Sequence, residues 1–267
     1  MEKILVLTDP HIVPDGQRII GIDPAQRLED ALSHALRTHP DASCLVLTGD
    51  LTHHGTAEEY KRLAAILAKV PIPVHMTLGN HDRRATFYEV FPSAAKQDGF
   101  ANAIVPLKDA TLVLLDTLDD PQTRARAHIG YVCDTRLRWL ERTLAQHERV
   151  ILAMHHHPAP VHFPGMDRIA LENGQEVLDI ARRSGAVAQM IFGHIHRTIS
   201  GQMGGIPFSV FKSPAHQMPM DMQGTKSSSS VAEPGAYGII CVAADSIVVH
   251  TEDFDLNSAI HEDSHSA

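Results

Sequence analysis

Five short apolar runs in this chain each end in a side chain that can bind a cation. Ile4-Leu5-Val6-Leu7 is followed by Asp9 and His11, Cys44-Leu45-Val46-Leu47 by Asp50, and the run from Val74 to Leu78 by Asn80 and His81. Val150 to Met154 leads into His155, His156 and His157, and Gln189 to Phe192 into His194 and His196. Continuous runs rich in branched residues are the pattern of strands buried on both faces, which belong to parallel or mixed sheets covered by helices. At the carboxyl ends of such strands the loops converge on a crevice where ligands bind. Any fold that aligns these runs therefore gathers carboxylates, an amide and imidazoles at one edge.

The connecting segments support an α/β chain. Asp23-Pro24 supplies an N-cap and a proline at the first helical position, and Leu28, Ala31, Leu32, Ala35 and Leu36 follow at helical spacing, which predicts a helix over 24–38. Lying between the first two runs, that helix implies a parallel strand pair with a right-handed crossover. Thr56 caps a second helix from Ala57 to about Ala68, and Arg83 to Phe91 reads as a short third one. Thr111 to Leu115 is a further buried strand, ending at Asp116. Asp134 is expected to cap a helix carrying Leu137, Leu140 and Leu144, and Val177, Leu178 and Ala181 mark another. Past Thr198, the segments Thr198 to Gln202, Pro207 to Phe211, Tyr237 to Ala243 and Ser246 to Thr251 read as antiparallel strands. We expect one domain over 1–256, a polar loop over 223–234 and a flexible tail over 257–267.

Composition narrows the partners. A net charge of −9 argues against a nucleic-acid polymer, whose binding surfaces are basic and clustered. No apolar stretch approaches the roughly 18 residues of a spanning helix, and the N-terminus lacks the pattern of a signal peptide, so no membrane association is expected. Three cysteines, odd in number and without a Cys-x-x-Cys pair, suit a reducing compartment and point to the cytoplasm. Histidine is the departure from ordinary usage, at nineteen residues.

The donor types narrow the cation. Imidazole suits zinc, iron and manganese, whereas calcium and magnesium prefer oxygen shells. Two carboxylates, one amide oxygen and four imidazoles make seven ligands, too many for one tetrahedral centre, so two ions are implied. A carboxylate can bridge ions about 3.5 to 4 Å apart, the spacing of binuclear hydrolytic sites. Two divalent ions set against two aspartates and a hydroxide leave a net charge of roughly +1, which suits a singly charged phosphate diester. Hydroxide on such a centre needs no protein base. His81, next to ligand Asn80, is then read as the general acid that assists the leaving group.

Taken in order, Asp9-x-His11, Gly49-Asp50, Gly79-Asn80-His81-Asp82, His155 and Gly193-His194-x-His196 resemble the calcineurin-like metallophosphoesterase superfamily. Within it the chain is most similar to class III cyclic nucleotide phosphodiesterases and the related bacterial glycerophosphodiesterase. Met154-His155-His156-x-Pro158, Met166-Asp167-Arg168-Ile169 and Leu171-Glu172-Asn173-Gly174 add to the likeness, which covers about residues 3 to 218. The resemblance implies a four-layer α/β/β/α sandwich of two mixed β-sheets, and two divalent ions of manganese, iron or zinc. It assigns Asp9, His11 and His196 to one ion, Asn80, His155 and His194 to the other, and Asp50 to both. His155 is taken over His156 because the spacing to Met166-Asp167 then needs no gap. His81 matches the family's leaving-group histidine and His216 a second substrate-side histidine. The implied activity is hydrolysis of small phosphodiesters, such as 3',5'-cyclic AMP or glycerophosphodiesters, by a homo-oligomer. The alternatives are a phosphomonoesterase or broad phosphoesterase of the same superfamily, or a non-catalytic scaffold.

The remaining histidines read more plainly. His53, His54 and His162 are read as solvated loop residues, with lining of the substrate approach as the alternative, and His34, His39, His75, His128, His147 and His250 as surface or helix-face residues. Asp116 is read as structural, Gly79 as giving a tight turn, and Asp82 as orienting His81 or capping the next helix.

Overall fold

Along β1 (Glu2–Leu7) the side chains alternate between two cores: Leu5 and Leu7 enter one, Ile4 and Val6 the other. The period of two is the pleat of a strand covered on both faces. β1 lies inside a five-stranded sheet with β2 (Ala42–Thr48), β3 (Val74–Thr77), β10 (Ala236–Val242) and β11 (Ile247–Asp253), in the order β11-β10-β1-β2-β3. β1, β2 and β3 are parallel, while β10 runs antiparallel to β1 and β11 to β10. The second sheet has six strands: β4 (Ala103–Pro106), β5 (Thr111–Leu115), β6 (Val150–Met154), β7 (Val187–Phe192), β9 (Ile206–Val210) and β8 (Ile199–Met203), in that order. This computed structural model describes residues 1–119 and 128–256.

The two sheets face each other across a layer that includes Ile4, Val6, Val46, Leu112, Leu114, Ile151 and Ile191. On the outer face of the first sheet lie α1 (Pro24–Thr38), α2 (Ala57–Leu67) and α3 (Arg84–Val90), which contribute Leu28, Leu32, Leu63 and Phe87. α4 (Asp134–Leu144) and α6 (Gly174–Ser184) cover the second with Leu140, Leu144, Val177 and Leu178. A one-turn helix, α5 (Pro164–Asp167), precedes α6. The layers are helix, sheet, sheet, helix, as the resemblance implies.

Local chemistry sets the helix starts. Asp23 accepts from the Ala25 N–H at the head of α1, and Thr56 and Glu59 form a reciprocal capping box on α2. The expected cap at Asp134 is corrected: Cys133 holds the cap position, no side chain caps the helix, and Asp134 is its first residue. Among the later strands, β8 and β9 are antiparallel to one another, but β9 pairs with β7 in parallel, so the antiparallel reading holds only in part. β4 was not foreseen from sequence. The tail over 257–267 lies outside the described residues.

Candidate metal centre

The ends of β1, β2 and β3 in one sheet and of β6 and β7 in the other meet at one place. Asp9 follows β1, and its carboxylate accepts the His194 backbone N–H on both oxygens, at 3.0 Å each, tying the end of β7 to it. Thr8 Oγ1 donates to the same carboxylate, and Ser213 Oγ donates to the Asp9 carbonyl. Asp82 does the corresponding work within the first sheet. Its carboxylate accepts from the N–H groups of Leu51, Thr52 and Gly79 and from the hydroxyls of Thr52 and Tyr60. It therefore pins the loop that carries Asp50 to the turn that carries Asn80 and His81. It neither orients the His81 ring nor caps α3, whose cap position is Arg83.

Five of the candidate ligands, Asp9, His11, Asp50, His194 and His196, have left-handed backbone, with φ between 46° and 71°. Non-glycine residues hold that conformation only where surrounding structure imposes it, and such residues cluster at functional sites. Gly79 is not one of the left-handed glycines. A Cβ there would collide with Asp50 and lie 2.7 Å from the His155 ring, so the residue gives room for close approach, not the turn the sequence suggested.

Seven side chains then converge. Asp50 sits between two groups: its Oδ2 is 3.5 Å from His11 Nε2, and its Oδ1 is 3.5 Å from His155 Nε2. On the first side, His11 Nε2 and His196 Nε2 are 3.1 Å apart, and His196 Nε2 is 3.4 Å from Asp9 Oδ1. On the second, His155 Nε2 lies 3.1 Å from Asn80 Oδ1 and 3.2 Å from His194 Nδ1.

The far sides of these rings fix which nitrogen is bare. His155 donates its Nδ1–H to the Thr48 carbonyl at 2.9 Å, His194 its Nε2–H to the Ile169 carbonyl at 3.0 Å, and His196 its Nδ1–H to the His216 carbonyl at 2.7 Å. In their neutral forms, His155 Nε2, His194 Nδ1 and Asn80 Oδ1 turn lone pairs toward one another with no hydrogen between. A cation at that point, whether a proton on His155 Nε2 or a metal ion, relieves the repulsion. His156 has the same form, with Nδ1 2.8 Å from Thr117 Oγ1 and a buried Nε2 that has no partner among the described residues, and with His155 and His194 it makes a further group that could hold a metal ion.

The electrostatics have the same form. Burial disfavours charge on every one of these groups, yet the fields of His155, His81 and His11 hold the Asp50 carboxyl well below its usual range. Burial lowers His155 and His196, but Asp50 acting on the first and Asp9 on the second overcome it, and His155 is pushed up to about 9. His11 and His194 are lowered, first by burial. Each half of the cluster thus holds one imidazole whose pKa a neighbouring carboxylate raises.

On the open side are Asn80, His53, His81 and His128, all partly or largely exposed. His81 donates its Nδ1–H to the His53 carbonyl at 2.8 Å, and its backbone N–H donates to Asp50 Oδ1 at 2.8 Å. His216 is buried beside His196 and His11, with ring centroids 4.8 and 5.2 Å away and no partner for Nδ1 among the described residues. Every residue proposed from sequence is therefore at this edge. Two more stand beside them: His53, for which the substrate approach is the alternative sequence reading, stacks on the His81 ring at 5.1 Å, and His128, read as a surface or helix-face residue, lies 5.0 Å from that ring and 2.8 Å from Asn80. His53, three residues past Asp50, had a positional signal; His128 had none. Arg84 is turned away from the site into an ion pair with Asp116.

Residues 2–198 match the family model for calcineurin-like phosphoesterases. The chain belongs to that family. Among calcineurin-like phosphoesterases, it is 37% identical over 252 residues to a probable cyclic nucleotide phosphodiesterase of Rhodopseudomonas palustris, covering 93% of this chain and 91% of the relative. It is 28% identical to a glycerophosphodiester phosphodiesterase of Enterobacter lignolyticus, over 85% of this chain and 83% of the relative. A dimetal phosphatase of Danio rerio shares the fold, with a TM-score of 0.70 at 17% identity, over 95% of this chain and 96% of that one. No helix among the described residues is long and apolar enough to cross a membrane.

Proposed function

We propose that this calcineurin-like phosphoesterase is a binuclear metal-dependent phosphodiesterase of small diesters, cyclic nucleotides or glycerophosphodiesters. The observation that carries the reading is the convergence of donor atoms in two groups that share Asp50. Asp9, His11, Asp50 and His196 would hold one divalent ion, and Asp50, Asn80, His155 and His194 the other. The imidazole-rich set supports manganese, iron or zinc. When bound, such ions lower the pKa of water to about 7 and stabilise charge on phosphoryl oxygens.

The chain's own groups do the rest. Set against two divalent ions, only two aspartates among neutral imidazoles and one amide would leave the centre positive, which suits a diester with one negative charge. The His53 carbonyl holds the His81 Nδ1–H, so Nε2 is the nitrogen that would carry a proton to the leaving alkoxide. His216, with Nδ1 unpartnered, is available to the substrate on the His11 and His196 side. The names of the two sequence relatives, both phosphodiesterases, support diester over monoester. The three free cysteines support a cytoplasmic location, and the resemblance supports a homo-oligomer.

Assaying metal-stripped protein on bis(p-nitrophenyl) phosphate and p-nitrophenyl phosphate, with manganese, zinc or iron restored, tests the reading. Turnover should return with metal and favour the diester. A preference for the monoester would make the protein a phosphomonoesterase, and full turnover without metal would sink the proposal. His81→Ala leaves the backbone contact to Asp50 intact, so it should keep bound metal and slow alkyl diesters most. Loss of metal in that variant would refute the role given to His81.

A further inference from the structure

His128 touches two parts of the site at once. Its Nδ1 lies 2.8 Å from Asn80 Nδ2. An amide nitrogen only donates, so His128 Nδ1 is the acceptor, and the Asn80 amide is held with Nδ2 toward His128 and Oδ1 toward His155 Nε2. The terminal torsion of asparagine is broad and roughly two-fold, and nothing in the residue itself decides which atom faces the metal side. The His128 ring also packs on His81, with centroids 5.0 Å apart and planes 37° apart, while His53 stacks on His81 at 5.1 Å and 25°.

The residues after His128 hold it in place. Its backbone is left-handed, with φ of 68°. Gly130 packs so closely on the His156 ring that a Cβ would collide, and its N–H donates to the Ala170 carbonyl at 3.3 Å. Tyr131 N–H donates to the Thr117 carbonyl at 3.0 Å.

We propose that His128 is a positioning residue with two separable tasks: its Nδ1 orients the Asn80 amide as a ligand, and its ring holds His81 for the leaving group. This rests on the roles given to Asn80 and His81 above. His128→Phe keeps a ring and removes the acceptor; His128→Asn keeps an acceptor and removes the ring. Two quantities are read in each: Mn²⁺ bound per chain by equilibrium dialysis, and the ratio of turnover on glycerophosphoethanolamine, a poor leaving group, to that on bis(p-nitrophenyl) phosphate. His128→Phe should weaken binding of the second Mn²⁺ roughly tenfold or more and leave the ratio near wild type. His128→Asn should bind Mn²⁺ nearly as wild type does and lower the ratio roughly tenfold. Wild-type protein that binds no second Mn²⁺ would overturn the underlying reading and this proposal with it. Wild-type protein that binds two, with both variants unchanged or both quantities falling together in each, overturns the proposal alone.

Discussion

The backbone N–H of His194 donates to both carboxylate oxygens of Asp9, and in doing so joins the end of a strand in one sheet to the end of a strand in the other. Asp9 thus has a structural duty apart from any ion. In metal-free protein, Asp9→Ala leaves that buried N–H without an acceptor, at a cost of about 1 to 3 kcal/mol. Asp9→Asn retains an acceptor and should recover most of that stability while binding metal poorly. Thermal unfolding of both metal-free variants, beside metal analysis of each, checks the separation; equal stability loss in the two would contradict it.

Gly79 has its place because Asp50 and His155 press against it. Overpacking of this kind costs about 1 to 3 kcal/mol. Since the atoms displaced belong to two of the proposed ligands, Gly79→Ala should reduce metal affinity roughly tenfold or more. Equilibrium dialysis against Mn²⁺ measures it. A variant that loses stability but binds metal as wild type does would show that the contact matters to packing only.

Asp116 carries a different prediction, about folding. Its buried carboxylate accepts from Arg84 and faces Arg136, and both guanidinium groups lie over the Phe100 ring. Arg136 also donates to the Asp116 and Leu118 carbonyls. Removing one partner of a buried ion pair costs about 3 to 5 kcal/mol, so Asp116→Asn should be strongly destabilised near neutral pH. Burial would raise the Asp116 pKa, but Arg84 and Arg136 outweigh it and hold the group below its usual 3.8. A carboxyl lowered on folding contributes stability above its unfolded pKa and loses it as pH falls through the folded one. Denaturant unfolding from pH 7 to pH 2 should therefore show the gap between wild type and Asp116→Asn narrowing below about pH 4. A gap independent of pH would contradict the ion-pair account.

Much of this molecule is legible locally. Asp23-Pro24 and the Thr56–Glu59 capping box mark their helices, and buried strands show as branched apolar runs because both faces are covered. The proposed ligands are legible because they follow those strands, where the topology gathers them. What escaped depends on distant partners. β4 is four residues long, alternates buried and exposed side chains and ends in proline at a sheet edge, so its own sequence carries little strand signal. The parallel pairing of β9 with β7 is decided by the sheet, not by either segment. Asp82 accepts from residues up to 31 positions away, and His128 meets Asn80 across 48. No local pattern encodes such separations.

If Asp50 joins two ions in one centre, turnover of diesters depends on both. Titrating metal-free protein with Mn²⁺, and reading bound metal and bis(p-nitrophenyl) phosphate turnover in the same samples, tests it most directly. Turnover should rise with the second equivalent and level off at two ions per chain, and Asp50→Ala should neither bind two nor turn over. Full turnover at one ion per chain, or at none, would contradict the account.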